Sequence, residues 1–187
     1  EKALKVEKIN ALGFCIGGTL LSMTQSLRLS QKKKGFHSLT YLTSLMDFED
    51  PGDIAVYIDE EWVELISQKM EKTGVLDGRI LALTFTMLRS NDLYWSFFVN
   101  NYLLGERPAD FDLLYWNCDS TNLPKKMHDF YLRQMYLENN LIKGHMEIGG
   151  TKINIKTNKA PCYFLSTEQD HIAPWKTTYT GALEQSG

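Results

Sequence analysis

Gly13-Phe14-Cys15-Ile16-Gly17 sets a cysteine between glycines at i−2 and i+2. That is the spacing of a nucleophile held on a sharp strand-to-helix turn. Side chains at either glycine would be expected to meet the neighbouring strand and helix, and Gly18 adds further room. A cysteine so placed lies at a helix N-terminus, where free N–H groups and the helix dipole favour a thiolate. The N–H of Ile16 is the expected oxyanion-hole donor. The five-residue pattern alone is better served by a buried structural cysteine in a glycine turn, and the strand before and helix after it shift the balance toward a nucleophile.

Residues 9–14, INALGF, form an apolar run long enough for a buried strand. The segment TLLSMTQSLRLS follows the turn and offers Leu20, Leu21, Met23, Thr24 and Leu27 as one helix face. Residues 38–46 read as a second strand and residues 160–166 as a third. Between them the texture is helical. One helix opens at Asp59-Glu60-Glu61 and closes near Gly74, with Trp62, Leu65, Ile66 and Met70 on one face. A second runs from Asp77 to Leu88, and a third follows Ser90-Asn91-Asp92 and ends near Gly105. A fourth takes Pro124 in its first turn and continues through Tyr131, Met135 and Leu137. A small hairpin is expected around Gly149-Gly150.

Residues 1–46 therefore read as core with the nucleophile turn, 47–159 as a cap, and 160–187 as core with an acid loop. An insertion this long is a subdomain rather than a loop. The expected fold is α/β, a partial α/β-hydrolase with a mainly helical cap between core strands.

In that fold the chain order is nucleophile, acid, histidine. Asp170, in STEQDHIAPW after the third strand, stands where the acid belongs, although a loop aspartate capping a helix near Pro174 would look the same. Its task would be to hold an imidazole in the useful tautomer. His171 adjoins it and suits a supporting polar role better than that of base, since adjacent loop side chains point apart. His37, His128 and His145 fall in turn or cap segments and are expected at the surface. Cys162 is expected to pack as a small hydrophobe in its strand, and Cys118 to be a bystander. The aromatic run Tyr94, Trp95, Phe97, Phe98, Tyr102, Tyr115 and Trp116 suits a core, an apolar channel or a partner surface.

A formal charge of −3 over 187 residues gives no electrostatic reason for nucleic-acid binding. No stretch approaches the roughly 20 apolar residues that span a bilayer. The charged opening EKALKVEKIN does not resemble a signal peptide. Three cysteines without metal-ligand spacing and four scattered histidines point to neither a disulfide framework nor a metal. A reducing cytoplasm is the expected compartment. Both ends read as those of a piece of a longer protein, with the catalytic histidine expected beyond Gly187.

GFCIGGTLL (13–21), LTSLMDFEDPG (42–52), LRSNDLYWSFFVNNYLLGERPADFDLLYWNCDSTNLP (88–124), FYLRQMYLENNL (130–141) and STEQDHIAPW (166–175) together resemble the polyhydroxyalkanoate synthases. The pattern looks most like the class that acts on short-chain substrates without a second subunit type. The resemblance implies that Cys15 carries the acyl group and that Asp170 is the triad acid. It implies an (R)-3-hydroxyacyl-CoA substrate, with CoA as part of the substrate and no separate cofactor. A growing polyester chain, a homodimeric form and residence on cytoplasmic granules, with granule-associated proteins as partners, follow from the same resemblance. Arg89 and Asn139 are candidate contacts to CoA, with helix capping or a salt bridge as the competing roles. A cysteine hydrolase, such as a thioesterase or dienelactone hydrolase, and a non-catalytic granule protein are the rival readings.

Overall fold

The first apolar run folds as strand β1 (Asn10–Phe14), and after a single residue the chain winds into helix α1 (Ile16–Ser30). The computed structural model describes residues 6–108, 110, 112–113, 115–116 and 119–185. From α1 the chain returns to strand β2 (Ser38–Leu42), and the sheet is completed much later by β3 (Cys162–Leu165). All three strands are parallel, in the order β1-β2-β3. Parallel neighbours need a crossover, which α1 supplies between β1 and β2. β2 is shorter than the 38–46 expected, because Thr43 takes a φ of 44° and turns the chain out of the sheet.

Two compact units divide the chain, residues 1–60 with 130–187, and residues 61–129. The helical unit is thus narrower than the cap of 47–159 read from the sequence. The reason is packing: Phe48, Met135, Leu141, Met146, Ile153 and Ile155 share one buried cluster with Leu39 and Tyr41 of β2. These residues belong to the sheet's core, although the sequence between them looks like cap. Within the same unit the hairpin pairs Glu147–Ile148 with Thr151–Lys152. Gly149 and Gly150 take φ values of 54° and 74°, the paired positive values that a two-residue turn of this hand requires.

The face that α1 buries is not the leucine face. Gly18, Thr19, Ser22, Met23, Gln25 and Ser26 are buried, while Leu20 is exposed. Small residues let the helix lie close, and its polar groups are satisfied there. Thr19 Oγ1 donates to Leu45 O at 2.7 Å, and Gln25 Nε2 donates to Asn158 Oδ1 at 3.0 Å. On the other side of the sheet, Leu12, Phe14 and Tyr163 are 63%, 61% and 60% exposed, on the register rungs Leu12–Thr40–Tyr163 and Phe14–Leu42–Leu165.

In the second unit, helix Glu60–Glu71 is followed by helix Gly78–Leu88, where Asp77 caps by accepting the Arg79 N–H at 2.9 Å. The expected third helix is wound with wide i→i+5 turns over Asn91–Trp95 and Phe98–Leu103. Pro124 does not open the fourth helix. It pairs with Val75 in a two-residue strand, and the helix begins at Lys125. Among the described residues no helix is long and apolar enough to cross a membrane.

Candidate active site

Cys15 is the one residue between β1 and α1, with φ 53° and ψ −127°. L-residues rarely adopt such a backbone, and it persists only where the surroundings hold it. Here the Cys15 N–H donates to Leu42 O at 2.8 Å, and its own carbonyl accepts the Gly18 N–H at 2.9 Å. A methyl added at Gly13 would lie 2.6 Å from Gly17 O and Gly18 N. One added at Gly18 would lie 2.5 Å from Ser44 Cβ and overlap Ser44 Oγ. At Gly17 it would meet nothing within 4 Å. The steric demand therefore falls on Gly13 and Gly18, not on the symmetrical pair Gly13 and Gly17 that the motif suggests.

The thiol of Cys15 is at an exposed residue, yet the protein packed about it raises its pKa above the ordinary thiol value. A hydrogen bond from the Ile16 N–H pulls the other way, and the negative charge of Asp170 raises it further. The Ile16 N–H favours the thiolate, and burial outweighs it. A thiol so tuned needs a base before it can act as a nucleophile.

Asp170 lies in the loop after β3, on the same carboxyl edge of the sheet as Cys15. Its Oδ1 accepts the N–H groups of Ile172 and Ala173, both at 2.9 Å. Among the described residues Oδ2 has no hydrogen-bond partner. A carboxylate tied at one oxygen and open at the other can receive a donor in a defined direction. His171 contributes its backbone: its carbonyl accepts the Asp53 N–H at 2.8 Å and closes on Gly52, whose φ of 72° and lack of Cβ permit the contact.

Two residues packed against Phe48 escaped the sequence reading. Tyr131 and Tyr136 place their hydroxyls 3.2 Å apart, and burial raises the pKa of both, with the charge of Cys15 a smaller cause in the same direction. Phe48 packs edge-on against each ring, at centroid distances of 6.1 and 4.9 Å. Aromatic residues in an apolar-looking helix carry no signal that distinguishes a site from a core.

Asn139 is 8% exposed and fully engaged: Nδ2 donates to Asp47 Oδ1 at 2.6 Å, and Oδ1 accepts the Phe48 N–H at 3.0 Å. This is a structural occupation. Arg89, in the other compact unit, ends helix Gly78–Leu88 and approaches Asp92 at 3.6 Å, the salt-bridge role weighed against a ligand contact. Cys162 sits in β3 as expected, but its thiol has polar company, donating to Ala160 O at 3.3 Å and accepting from Asn158 Nδ2 at 3.0 Å. Cys118 lies outside the described residues. His37 and His145 are exposed, whereas His128 is not. It lies inside helix Lys125–Tyr131, 6% exposed, and burial lowers its pKa. The surface assignment fails there because the helix turns that position inward.

Residues 1–182 match the family model described as alpha/beta hydrolase fold. The chain is 42% identical over its whole length to the poly(3-hydroxyalkanoate) polymerase subunit PhaC of Rhizobium meliloti, covering 31% of that protein. It is 43% identical to the corresponding protein of Rhizobium etli, over 97% of the chain and 29% of the relative. With the subunit of Cupriavidus necator the identity is 40%, over 92% of the chain and 30% of the relative. The chain thus spans about a third of the length of these relatives.

Proposed function

The chain belongs to the α/β-hydrolase family, and from that premise we propose that it carries the nucleophile and acid of an acyltransferase that builds poly(3-hydroxyalkanoate). One observation carries the reading. Cys15 is strained onto an elbow at a helix N-terminus, and Asp170 lies in the loop after β3 at the same carboxyl edge of the sheet. The resemblance to named polymerases over 92% or more of the chain supports polyester synthesis among the chemistries open to such an elbow.

In this reading a base takes the Cys15 proton and the thiolate attacks the carbonyl of an (R)-3-hydroxyacyl-CoA thioester. The oxyanion is met by the Ile16 N–H, which already bonds the Cys15 sulfur. CoA leaves as its thiol, and the acyl group remains on Cys15. The exchange is close to isoenergetic, one thioester bond being broken and one formed. A chain-terminal hydroxyl then attacks the acyl-cysteine, an ester forms, and the thiol is restored. The base in this reading is an imidazole, directed by Oδ2 of Asp170. The active form is a homodimer on cytoplasmic polyester granules.

CoA release from (R)-3-hydroxybutyryl-CoA by the full-length protein and its Cys15→Ala variant tests the proposal. Release with insoluble polyester, both lost in the variant, supports it. Release with only soluble 3-hydroxybutyrate supports a thioesterase instead. No release from folded protein overturns the catalytic reading.

A further inference from the structure

Tyr131 and Tyr136 are five residues apart, and on an α-helix such positions point about 140° away from each other. Here the helix loosens into i→i+5 winding over Leu132–Leu137, visible in the bond from Glu138 N–H to Arg133 O at 3.0 Å. That winding brings the two rings to 5.1 Å at 87° and their hydroxyls to 3.2 Å. Single turns of this kind recur at functional sites, because they cost a helix its regular bonds. Phe48, itself buried, fixes both rings edge-on, and Asn139 fixes Phe48 through its N–H. Two hydroxyls hold two hydrogens, and the bond between them uses one. Among the described residues neither phenol has another hydrogen-bond partner, so one O–H is uncommitted in packed surroundings. A partly buried donor of this kind calls for an acceptor.

We propose that the Tyr131–Tyr136 pair is a specificity-determining site that donates this hydrogen bond to the 3-oxygen of the acyl group held on Cys15, selecting 3-hydroxyacyl over unsubstituted acyl thioesters. The inference rests on the reading of Cys15 as acyl carrier. The thioester oxygen is served by Ile16, which leaves the 3-hydroxyl as the polar atom of a short acyl chain that needs a partner. The segment after β2 ties the pair to the elbow: Leu42 O accepts the Cys15 N–H, and Phe48, six residues on, packs against both rings. Either hydroxyl can donate within the pair, and the other then holds the free hydrogen.

The test is the rapid burst of CoA released on acylation of the full-length protein, compared between (R)-3-hydroxybutyryl-CoA and butyryl-CoA. Wild type, Tyr131→Phe, Tyr136→Phe, the double variant and Cys15→Ala are measured, with melting temperatures to establish folding. The expected result is a preference for the hydroxylated substrate that falls roughly five- to tenfold in the double variant and in at least one of the single variants. Acylation by butyryl-CoA stays near its wild-type rate. An unchanged preference in the double variant, or in both single variants where the double variant does not fold, overturns the inference, with Cys15 still the acyl carrier. Equal slowing with both substrates also overturns it and leaves a packing role. A burst that survives in Cys15→Ala removes the underlying reading instead.

Discussion

Asn139 Oδ1 accepts the Phe48 N–H at 3.0 Å, across 91 residues of sequence. The same side chain donates to Asp47, and its backbone takes a φ of 52°. Asparagine is among the few residues that enter this region readily, so conformation and hydrogen bonding agree on the choice. Asn139→Ala should lose both bonds, leave buried Asp47 with only the Glu49 N–H as donor, and strain the backbone. The expected cost is roughly 2–4 kcal/mol, measured by urea unfolding. A loss under about 0.5 kcal/mol, the range of ordinary surface substitutions, would show that the clamp is dispensable.

The glycines of the elbow divide unequally. Gly18→Ala forces a methyl into Ser44 and should cost about 1–3 kcal/mol, as overpacking does. Gly17→Ala meets open space inside α1 and should be neutral, or slightly stabilising through helix propensity. Adding Ser44→Gly should recover part of the Gly18→Ala loss. Thermal melts of the three variants decide the matter. Equal losses at Gly17 and Gly18 would contradict the asymmetry.

Why the elbow was legible and the tyrosine pair was not follows from what each depends on. Cys15 is announced by an apolar strand before it, glycines beside it and a helix after it, all within about twenty residues. Asp170 follows from chain order once the strand before it is read. Tyr131 and Tyr136 meet only because the helix leaves its 3.6-residue period, and no local pattern in FYLRQMYLENNL marks that departure. The leucine face of α1 misled for a related reason. A helix lying close on a sheet buries its small residues, and Leu20 is turned outward. Met135, Leu141 and Met146 pack with β2 from a segment whose texture is helical, and no local pattern announces that packing.

His128 gives the protein an acid-sensitive element. Its Nδ1 is buried without a hydrogen-bond partner among the described residues, and burial lowers its pKa despite the opposing charge of Asp129. Below the ordinary histidine value near 6.5, the unfolded chain binds a proton that the folded chain refuses. Stability is therefore complete above that value and falls as pH drops from it towards the folded pKa. Urea midpoints at pH 7.5, 6.5 and 5.5 should decline more steeply for wild type than for His128→Gln. Parallel declines would assign the acid sensitivity to other groups.

Asp170 exerts two effects on Cys15 that a single substitution separates. Its charge raises the thiol pKa, after the larger influences of burial, which raises it, and the Ile16 N–H, which lowers it. Asn retains an acceptor oxygen for the Ile172 and Ala173 N–H groups, so Asp170→Asn should keep the loop in place. Without the negative charge the thiolate is less disfavoured, and the midpoint of iodoacetamide alkylation against pH should move down. At a fixed pH below that midpoint, alkylation of Cys15 becomes faster in the variant. The drop should be smaller than the rise that burial causes, since Asp170 is the least of the three influences. Turnover should move the other way: a neutral amide cannot stabilise an imidazolium, and losses near 10⁴-fold accompany that change in a serine triad. Faster alkylation with collapsed CoA release would mark Asp170 as the acid that serves the base rather than the thiol. Slower alkylation in this chain would mean that the charge of Asp170 does not act on the sulfur, while the triad assignment stands or falls on CoA release.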